Sequence, residues 1–224
     1  MAGERPKTVV SWSSGKDAAF ALWEVQRQGE LDVVALLTTV TSEFDRVSMH
    51  GVRVALLERQ AAAVGLPLWK VEIPFPCPNE VYEAAMARAV EHLAAAGVSR
   101  IVFGDLFLED VRTYRERRLE PTGIRPAFPL WGRKTDRLAE EMLRSGLEAR
   151  VVCLDPRKLP REFAGRPFDA AFLRELPESV DPCGERGEFH TFVTAGPMFS
   201  RPIAVLPGET VERDGFVFSD LAPG

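Results

Sequence analysis

The sequence predicts an α/β fold with a doubly wound, mostly parallel sheet, followed by a smaller, irregular C-terminal α+β region. Apolar strand-like runs alternate with helix-like segments from residue 7 to residue 103, a pattern typical of parallel strands joined by right-handed helical crossovers. After about residue 155, long elements are interrupted by Pro156, Pro160, Pro167, Pro177 and Pro182. We therefore expect a core over residues 1–130 and a smaller region over residues 131–224.

The individual elements follow from apolar runs and from the residues that end them. Buried strands are predicted over residues 7–12, 32–39, 68–73 and 100–103. Helices are predicted between them, over residues 16–28, 49–64 and 80–96. Gly65 and Gly97 are suited to end the second and third helices, and Asn79 to cap the start of the third. Residues 202–221 are typical of a β-hairpin.

Composition and charge exclude several classes of protein. The net charge of −5 gives no support for non-specific binding to nucleic acid or to an anionic membrane, so stable nucleic-acid binding is not expected. Cys77, Cys153 and Cys183 form no CxxC pair, and we expect reduced thiols rather than a structural zinc site. The sequence has neither a long apolar run nor a signal-peptide pattern, which predicts a cytoplasmic protein with no membrane partner.

A short polar loop follows the first predicted strand and leads into the first helix. It consists of Ser13, Ser14, Gly15, Lys16 and Asp17. It does not match the Walker pattern, because Val10 stands where the first glycine would be and Asp17 where the hydroxyl residue would be. Successive backbone N–H groups at a helix N-terminus can still form a nest for a phosphate, to which Lys16 adds positive charge. The alternative is a capped helix with a solvated lysine.

Gly104 and Asp105 directly follow the fourth predicted strand. If the first and fourth strands are neighbours, Asp105 faces the loop, where its carboxylate could bind Mg²⁺ on a phosphate or orient a nucleophile. The alternative, of equal weight, is that Gly104 and Asp105 form a turn or the start of a helix, for which this dipeptide is common. The arginines that follow could grip phosphates, but the acidic residues between them favour a solvated helix face; they are Arg112, Arg115, Arg117 and Arg118.

The segment DPCGERGEFHTFV, residues 181–193, is the densest polar cluster of the sequence. Alternation along a strand places Glu188 and His190 on one face, with Glu185 in the turn before them. Two carboxylates and an imidazole suit general acid–base work or metal binding, whereas the alternative is a polar edge strand. His50 follows the second strand, in the region where a nucleotide base could lie.

The loop resembles the SGGKDS loop of the PP-loop, or N-type, ATP pyrophosphatases, with Ser14 where the pattern has a glycine and Ala18 for the last serine. Residues 184–191 carry a second pattern, GE-x-GE-[FY]-H-T, in which Arg186 stands where asparagine is common. Together with SMHGVRVALLERQAAAVGLPLW, FGDLFLED and FPLWG, these motifs resemble the diphthine–ammonia ligase family over nearly the whole chain.

The resemblance implies an adenine nucleotide α-hydrolase-like fold and an ATP-dependent amide ligase that uses Mg²⁺. A carboxylate would attack the α-phosphate of ATP, pyrophosphate would leave, and ammonia would then displace AMP. The expected ATP-binding residues are Ser13, Ser14, Gly15, Lys16, Asp17, His50 and Gly104. The expected catalytic residues are Lys16, Asp105, Glu185, Glu188 and His190, with Asp105 also the candidate ligand of Mg²⁺.

The resemblance also names partners and leaves alternatives open. The implied partners are ATP, ammonia and a carboxylate acceptor such as diphthine on an elongation factor. An enzyme of the same superfamily with another acceptor, either a small acid or a tRNA base, is one alternative, and a non-catalytic ATP-binding module is the other. The ammonia source and the oligomeric state, a homodimer included, stay open.

Overall fold

The computed structural model describes residues 4–224, so the first three residues of the predicted core lie outside it. The strands of the first sheet are β1 (Lys7–Ser11), β2 (Asp32–Thr41), β3 (Arg46–Val47), β4 (Leu68–Ile73), β5 (Arg100–Val102) and β6 (Arg125–Ala127). Five of them run parallel in the order β4-β2-β1-β5-β6, while β3 pairs antiparallel with the end of β2. The predicted doubly wound sheet is therefore confirmed, and the predicted first and fourth strands, β1 and β5, are neighbours.

The three helices predicted from the alternation are present, with two local differences, and further helices follow them along the chain. The helices are α1 (Lys16–Gln28), α2 (Val54–Val64), α3 (Asn79–Ala95), α4 (Glu109–Leu119), α5 (Thr135–Arg144) and α6 (Ala170–Glu175). The prediction that α2 begins at residue 49 is wrong, because Met49 and Gly51 adopt positive φ angles and turn the chain after β3. The prediction that Asn79 caps α3 is also wrong, since Pro78 occupies the cap position and Asn79 is the first helical residue.

The C-terminal region is built on a second, antiparallel sheet. Its strands are β7 (Glu148–Leu154), β8 (Phe189–Ala195), β9 (Val205–Arg213) and β10 (Phe216–Pro223). They lie in the order β8-β7-β10-β9, and β9 and β10 form the predicted hairpin. The segments that connect these strands carry α6 and most of the prolines, which gives this region the irregular texture seen in the sequence.

One hydrophobic core joins the two sheets. Val10 of β1 and Phe20 of α1 belong to the same buried cluster as Phe172 of α6 and Phe192 of β8. Because side chains alternate along a strand, Val9 points the other way, into a second cluster beneath α3. The first cluster brings β8 against the N-terminus of α1, where the polar loop lies.

No helix in the part of the chain that the structure describes is both long enough and apolar enough to cross a membrane.

Candidate active site

A cavity of about 720 Å³ opens at the carboxyl ends of β1, β2 and β5. We call it the main cavity; its lining includes Ser13, Thr38, His50, Met86, Phe103 and Arg115. Its volume is that of a small-molecule site, for which about 300–1,000 Å³ is usual. It lies where the crossovers from β1 and β5 diverge, the position at which open parallel sheets bind ligands.

The loop after β1 is fixed at Ser14, from the C-terminal sheet and from α2. The carbonyl of Ser14 accepts a hydrogen bond from the backbone N–H of Val193 at 3.0 Å and another from Nε2 of Gln60 at 3.1 Å. Ser14 is fully buried, has a φ of 70°, and its hydroxyl has no hydrogen-bond partner. This serine therefore occupies a backbone conformation that favours glycine, the residue at this position of the pattern it resembles.

Gln60 is a fully buried residue that the sequence analysis missed. Its Nε2 donates to the carbonyls of Ser14 and Val193, at 3.1 and 2.7 Å, and its Oε1 accepts from Nε1 of Trp12 at 3.0 Å. The glutamine thus ties the end of β1, the loop and β8 together. A signal was available, since Gln60 is a polar residue in the buried stripe of α2 beside Leu57 and Ala61.

Lys16 is 2% exposed and directs its charge toward the C-terminal region. Its Nζ donates to Oδ2 of Asp17 at 2.8 Å and to the carbonyl of Cys183, and it lies 5.4 Å from the ring centroid of Phe189. Burial lowers the pKa of Lys16, but the Asp17 carboxylate together with Cys183 and Glu185 outweighs burial and the net shift is upward, so the ammonium stays charged. Burial raises the pKa of Asp17, against the lowering effect of Lys16.

The backbone N–H of Lys16 is also occupied within the protein. It donates to Oγ1 of Thr191 at 3.1 Å. Alternation along β8 places Thr191 on the face opposite Glu188 and His190. The hydroxyl of Thr191 on that face contacts the loop. One donor of the predicted phosphate nest is therefore satisfied by a hydroxyl of β8.

Gly104 allows the end of β5 to lie against the start of α1. A Cβ atom at Gly104 would lie 2.8 Å from the carbonyl carbon of Asp17 and 2.9 Å from the backbone nitrogen of Ala18, closer than side chains pack. The next residue, Asp105, pairs with Arg115: Oδ2 lies 2.6 Å from Nε, and Oδ1 accepts from Nη2 at 3.1 Å.

The turn before β8 is braced by its own carboxylates. The N–H of Asp181 donates to Oε1 of Glu188 at 3.1 Å, and the N–H of Glu185 donates to Oδ2 of Asp181 at 3.0 Å. Gly184 has a φ of +70°, and a Cβ there would lie 2.8 Å from the carbonyl oxygen of Phe189. Glu188 is 2% exposed, so the structure gives it the position of an internal brace outside the main cavity.

Glu185 connects this turn to the segment after Asp105. Its Oε1 accepts the N–H of Leu106 at 2.7 Å. Burial, followed by the charges of Asp17 and Asp105, raises the pKa of Glu185 to about 7, against the lowering effect of the Leu106 N–H. A carboxyl group that titrates near neutrality can exchange a proton at physiological pH.

His50 and His190 lie against each other beside the loop. Their ring centroids are 4.4 Å apart at an interplanar angle of 33°. Burial and the Lys16 charge lower the pKa of His190 to about 4, and burial with the charges of His190 and Lys16 lowers that of His50 well below its usual value. Both imidazoles are therefore neutral at pH 7, and His50 reaches the main cavity.

The structure thus brings the predicted site residues into one region but divides them into two sets. Ser13 and His50 line the main cavity. The residues outside its lining form the contacts between the loop, the end of β5 and the turn before β8; they are Ser14, Gly15, Lys16, Asp17, Gly104, Asp105, Glu185, Glu188 and His190. Gln60 and Thr191 join this second set as residues that hold the loop.

The fold and the site define an α/β protein with a polar loop at the N-terminus of α1, at the switch point of a parallel sheet, joined to a C-terminal sheet that completes the loop's contacts. The family model for the diphthamide synthase N-terminal domain matches residues 6–126, and the model for its C-terminal domain matches residues 134–218. The chain belongs to the diphthamide synthase family, which confirms the family resemblance seen in the motifs.

Several curated relatives match nearly the whole chain at low identity. The diphthine–ammonia ligase of Bos taurus is 26% identical over 94% of this chain and 86% of its own length, and that of Homo sapiens is 25% identical over the same shares. The diphthine–ammonia ligase of Schizosaccharomyces pombe is 26% identical over 90% of this chain, which corresponds to 36% of that protein.

Proposed function

We propose that the chain is an ATP-dependent ligase of the diphthine–ammonia ligase type, which activates a carboxylate as an acyl-adenylate and converts it to an amide. The observation that carries the proposal is the direct contact between the loop after β1 and residues 181–193, which comprise the turn before β8 and most of β8. Lys16 donates from its backbone to Thr191 and from its side chain to the carbonyl of Cys183. In this arrangement, groups suited to a nucleotide and groups suited to proton transfer lie side by side.

ATP fits the main cavity by position, size and lining. The cavity adjoins the N-terminus of α1, whose dipole favours phosphate, and Ser13 offers a hydroxyl at that end. His50, neutral at pH 7, lies on the same wall. The volume of about 720 Å³ is sufficient for a nucleotide together with part of an acceptor.

Mg²⁺ fits the site as an ion that arrives with the nucleotide. The described residues hold no group of three or more side chains arranged to bind a metal ion. Mg²⁺ is usually bound by one or two carboxylates together with substrate phosphates. Asp17, Asp105 and Glu185 supply carboxylates near enough for the first two to raise the pKa of the third. One or two of these carboxylates would hold the ion, which would neutralise charge on the phosphates.

The proposed reaction has two steps. An oxygen of the acceptor carboxylate attacks the α-phosphorus, and the bond to the bridging oxygen breaks so that pyrophosphate leaves. Ammonia then attacks the acyl carbon, the bond to AMP breaks, and a proton from the new nitrogen passes to Glu185. With a pKa of about 7, Glu185 is suited to accept that proton, and the neutral His190 can orient the nucleophile beside it.

An ATP–pyrophosphate exchange screen tests the proposal. Labelled pyrophosphate should enter ATP only when a suitable carboxylate is present, with elongation factor carrying diphthine as the first acceptor and small acids and tRNA as the others. Addition of ammonia should then yield amide, AMP and pyrophosphate in equal amounts. Release of ADP and phosphate, or ATP binding without exchange on any acceptor, would contradict a ligase and favour a binding module.

The variant His190→Ala tests in the same assay whether His190 takes part in amide formation. It should suppress amide formation while ATP binding stays within a few fold of wild type. His92→Ala is the matched control, because His92 is an exposed histidine on α3 away from the loop. Equal amide turnover in both variants would remove His190 from the mechanism.

A further inference from the structure

On the proposed function, the main cavity binds an anionic ligand, and a cation in its lining would stabilise that ligand. Two cations near the cavity, Lys16 and Arg118, are already paired with other groups. Lys16 is buried behind the loop against Asp17 and does not line the main cavity. Arg118 does line it, but its guanidinium pairs with Glu83 of α3 and stacks over the ring of Tyr114 at 5.6 Å.

Arg115 is the cation that the fold turns toward the main cavity. Most of α4 faces solvent, and Leu119 is its buried residue. Arg115 nevertheless points inward, with its side chain 28% exposed and its Cζ 4.2 Å from the ring centroid of Phe103. Phe103 follows β5 and also lines the main cavity, so the guanidinium is stacked at the carboxyl edge of the sheet.

Asp105 fixes this guanidinium from one side only. Its two oxygens face Nε at 2.6 Å and Nη2 at 3.1 Å. A guanidinium carries five N–H groups in a planar fork, and only one of them, on Nη2, donates a hydrogen bond to Asp105. The two N–H groups on Nη1 and the second on Nη2 face away from this contact and stay available to a ligand. Two N–H groups that diverge from one plane match the oxygens of a phosphoryl group or of a carboxylate.

We propose that Arg115 binds an anionic group in the main cavity, either a phosphoryl group of the nucleotide or the carboxylate of the acceptor, and that Asp105 is the positioning residue that holds it there. The stack on Phe103 and the pair with Asp105 fix the guanidinium before a ligand arrives, which lowers the entropy lost on binding. In this arrangement, Asp105 acts on the reaction through Arg115 rather than through a metal ion.

The first experiment compares Arg115→Gln with Arg117→Gln. Arg117 lies on the exposed side of the same helix, so the control removes the same charge from the same element. Loss of a charge-assisted bidentate contact should weaken binding roughly 10- to 100-fold, and Arg117→Gln should change it less than about twofold. A raised Kd for MgATP without acceptor assigns a phosphoryl group; an unchanged Kd with a raised KM for elongation factor carrying diphthine assigns the carboxylate.

Arg115→Lys keeps the charge without the fork and should recover only part of the affinity; it also serves if Arg115→Gln does not fold. Unchanged constants in both Arg115 variants would overturn the proposal. A wild-type protein that binds no MgATP would instead overturn the proposed function, which keeps the two failures distinct.

A double-mutant cycle tests the role of Asp105. If Asp105 acts through Arg115, Asp105→Asn should weaken binding no more than Arg115→Gln does, and the double variant should be no weaker than Arg115→Gln alone. The concentration of Mg²⁺ that gives half-maximal activity should match that of wild type. A several-fold higher requirement for Mg²⁺ in Asp105→Asn, or additive losses in the double variant, would overturn the positioning role. The double variant removes the charges of both Asp105 and Arg115, so it does not leave the Asp105 carboxylate buried without a cation, as Arg115→Gln alone does.

Discussion

Ser14 has an unfavourable backbone conformation and an unpartnered buried hydroxyl, and its replacement by glycine should stabilise the protein. Its φ of 70° lies in the left-handed region, where the Cβ of an L-residue crowds the following carbonyl. Its side chain is fully buried, and its hydroxyl has no partner. Its carbonyl, by contrast, is held by both Gln60 and Val193, so the loop cannot relax out of this conformation.

The magnitude follows from three contributions. The left-handed conformation costs a serine about 1–2 kcal/mol that glycine avoids. The unpartnered buried hydroxyl costs about 1–3 kcal/mol. Against these, glycine loses about 0.5–1 kcal/mol more conformational entropy on folding. Ser14→Gly should therefore raise the free energy of unfolding by about 1–4 kcal/mol, and for a chain of this size each kcal/mol shifts Tm by about 2–4 °C.

Ser14→Ala separates the two favourable contributions. It removes the hydroxyl and keeps the Cβ, so its gain should be smaller than that of Ser14→Gly by the cost of the left-handed backbone less the extra entropy that glycine loses, or about 1 kcal/mol. Urea unfolding at constant pH gives both values from the same baseline. A glycine variant less stable than wild type, or no more stable than the alanine variant, would refute the backbone argument.

Three further predictions concern residues around the loop. Gly104→Ala should lower the free energy of unfolding by about 1–3 kcal/mol, because the new methyl group meets the backbone of Asp17; an unchanged urea midpoint would contradict that close approach. Gln60→Leu should cost about 2–4 kcal/mol, because it leaves the Trp12 indole N–H unpaired and removes one hydrogen bond from each of two buried carbonyls, and a stability equal to wild type would show that the contacts contribute nothing. Because the pKa of Glu185 is raised to about 7, its contribution to stability is present at low pH and is lost as the pH rises through about 7. The difference in unfolding free energy between wild type and Glu185→Gln should therefore fall from about pH 4.5 to pH 7, and a difference independent of pH would disprove the shift.

The parallel sheet was predictable because its signals are local. The apolar run of β1, the helical stripe from Lys16 and the left-handed Gly65 at the end of α2 each indicate an element without help from distant residues. The start of α2 was mispredicted although its determinants are also near in sequence. Residues 46–47 pair antiparallel with residues 40–41 at the end of β2, and this short hairpin and the turn after it replace the helical pattern that begins at residue 49.

The site was predictable as a set of motifs but not as a geometry. Sequence could mark Lys16 as a cation at a helix N-terminus, but the direction of its side chain depends on Asp17 and on a carbonyl 167 residues away. It could mark Glu185 and Glu188 as paired carboxylates, but only the turn shows that one faces Leu106 and the other braces Asp181. Burial and register, which decide these roles, come from tertiary packing.

The contacts of the loop also bear on how the two sheets work together. The loop belongs to the parallel sheet by sequence, yet Ser14 and Lys16 are held by Val193 and Thr191 of the antiparallel sheet. A nucleotide that displaces the Thr191 hydroxyl from the Lys16 N–H would therefore change the contacts of β8, and with them the turn that carries Glu185. On the proposed function, nucleotide binding at one sheet and acceptor positioning at the other would share these hydrogen bonds, and we therefore expect nucleotide affinity and acceptor geometry to be coupled through the loop.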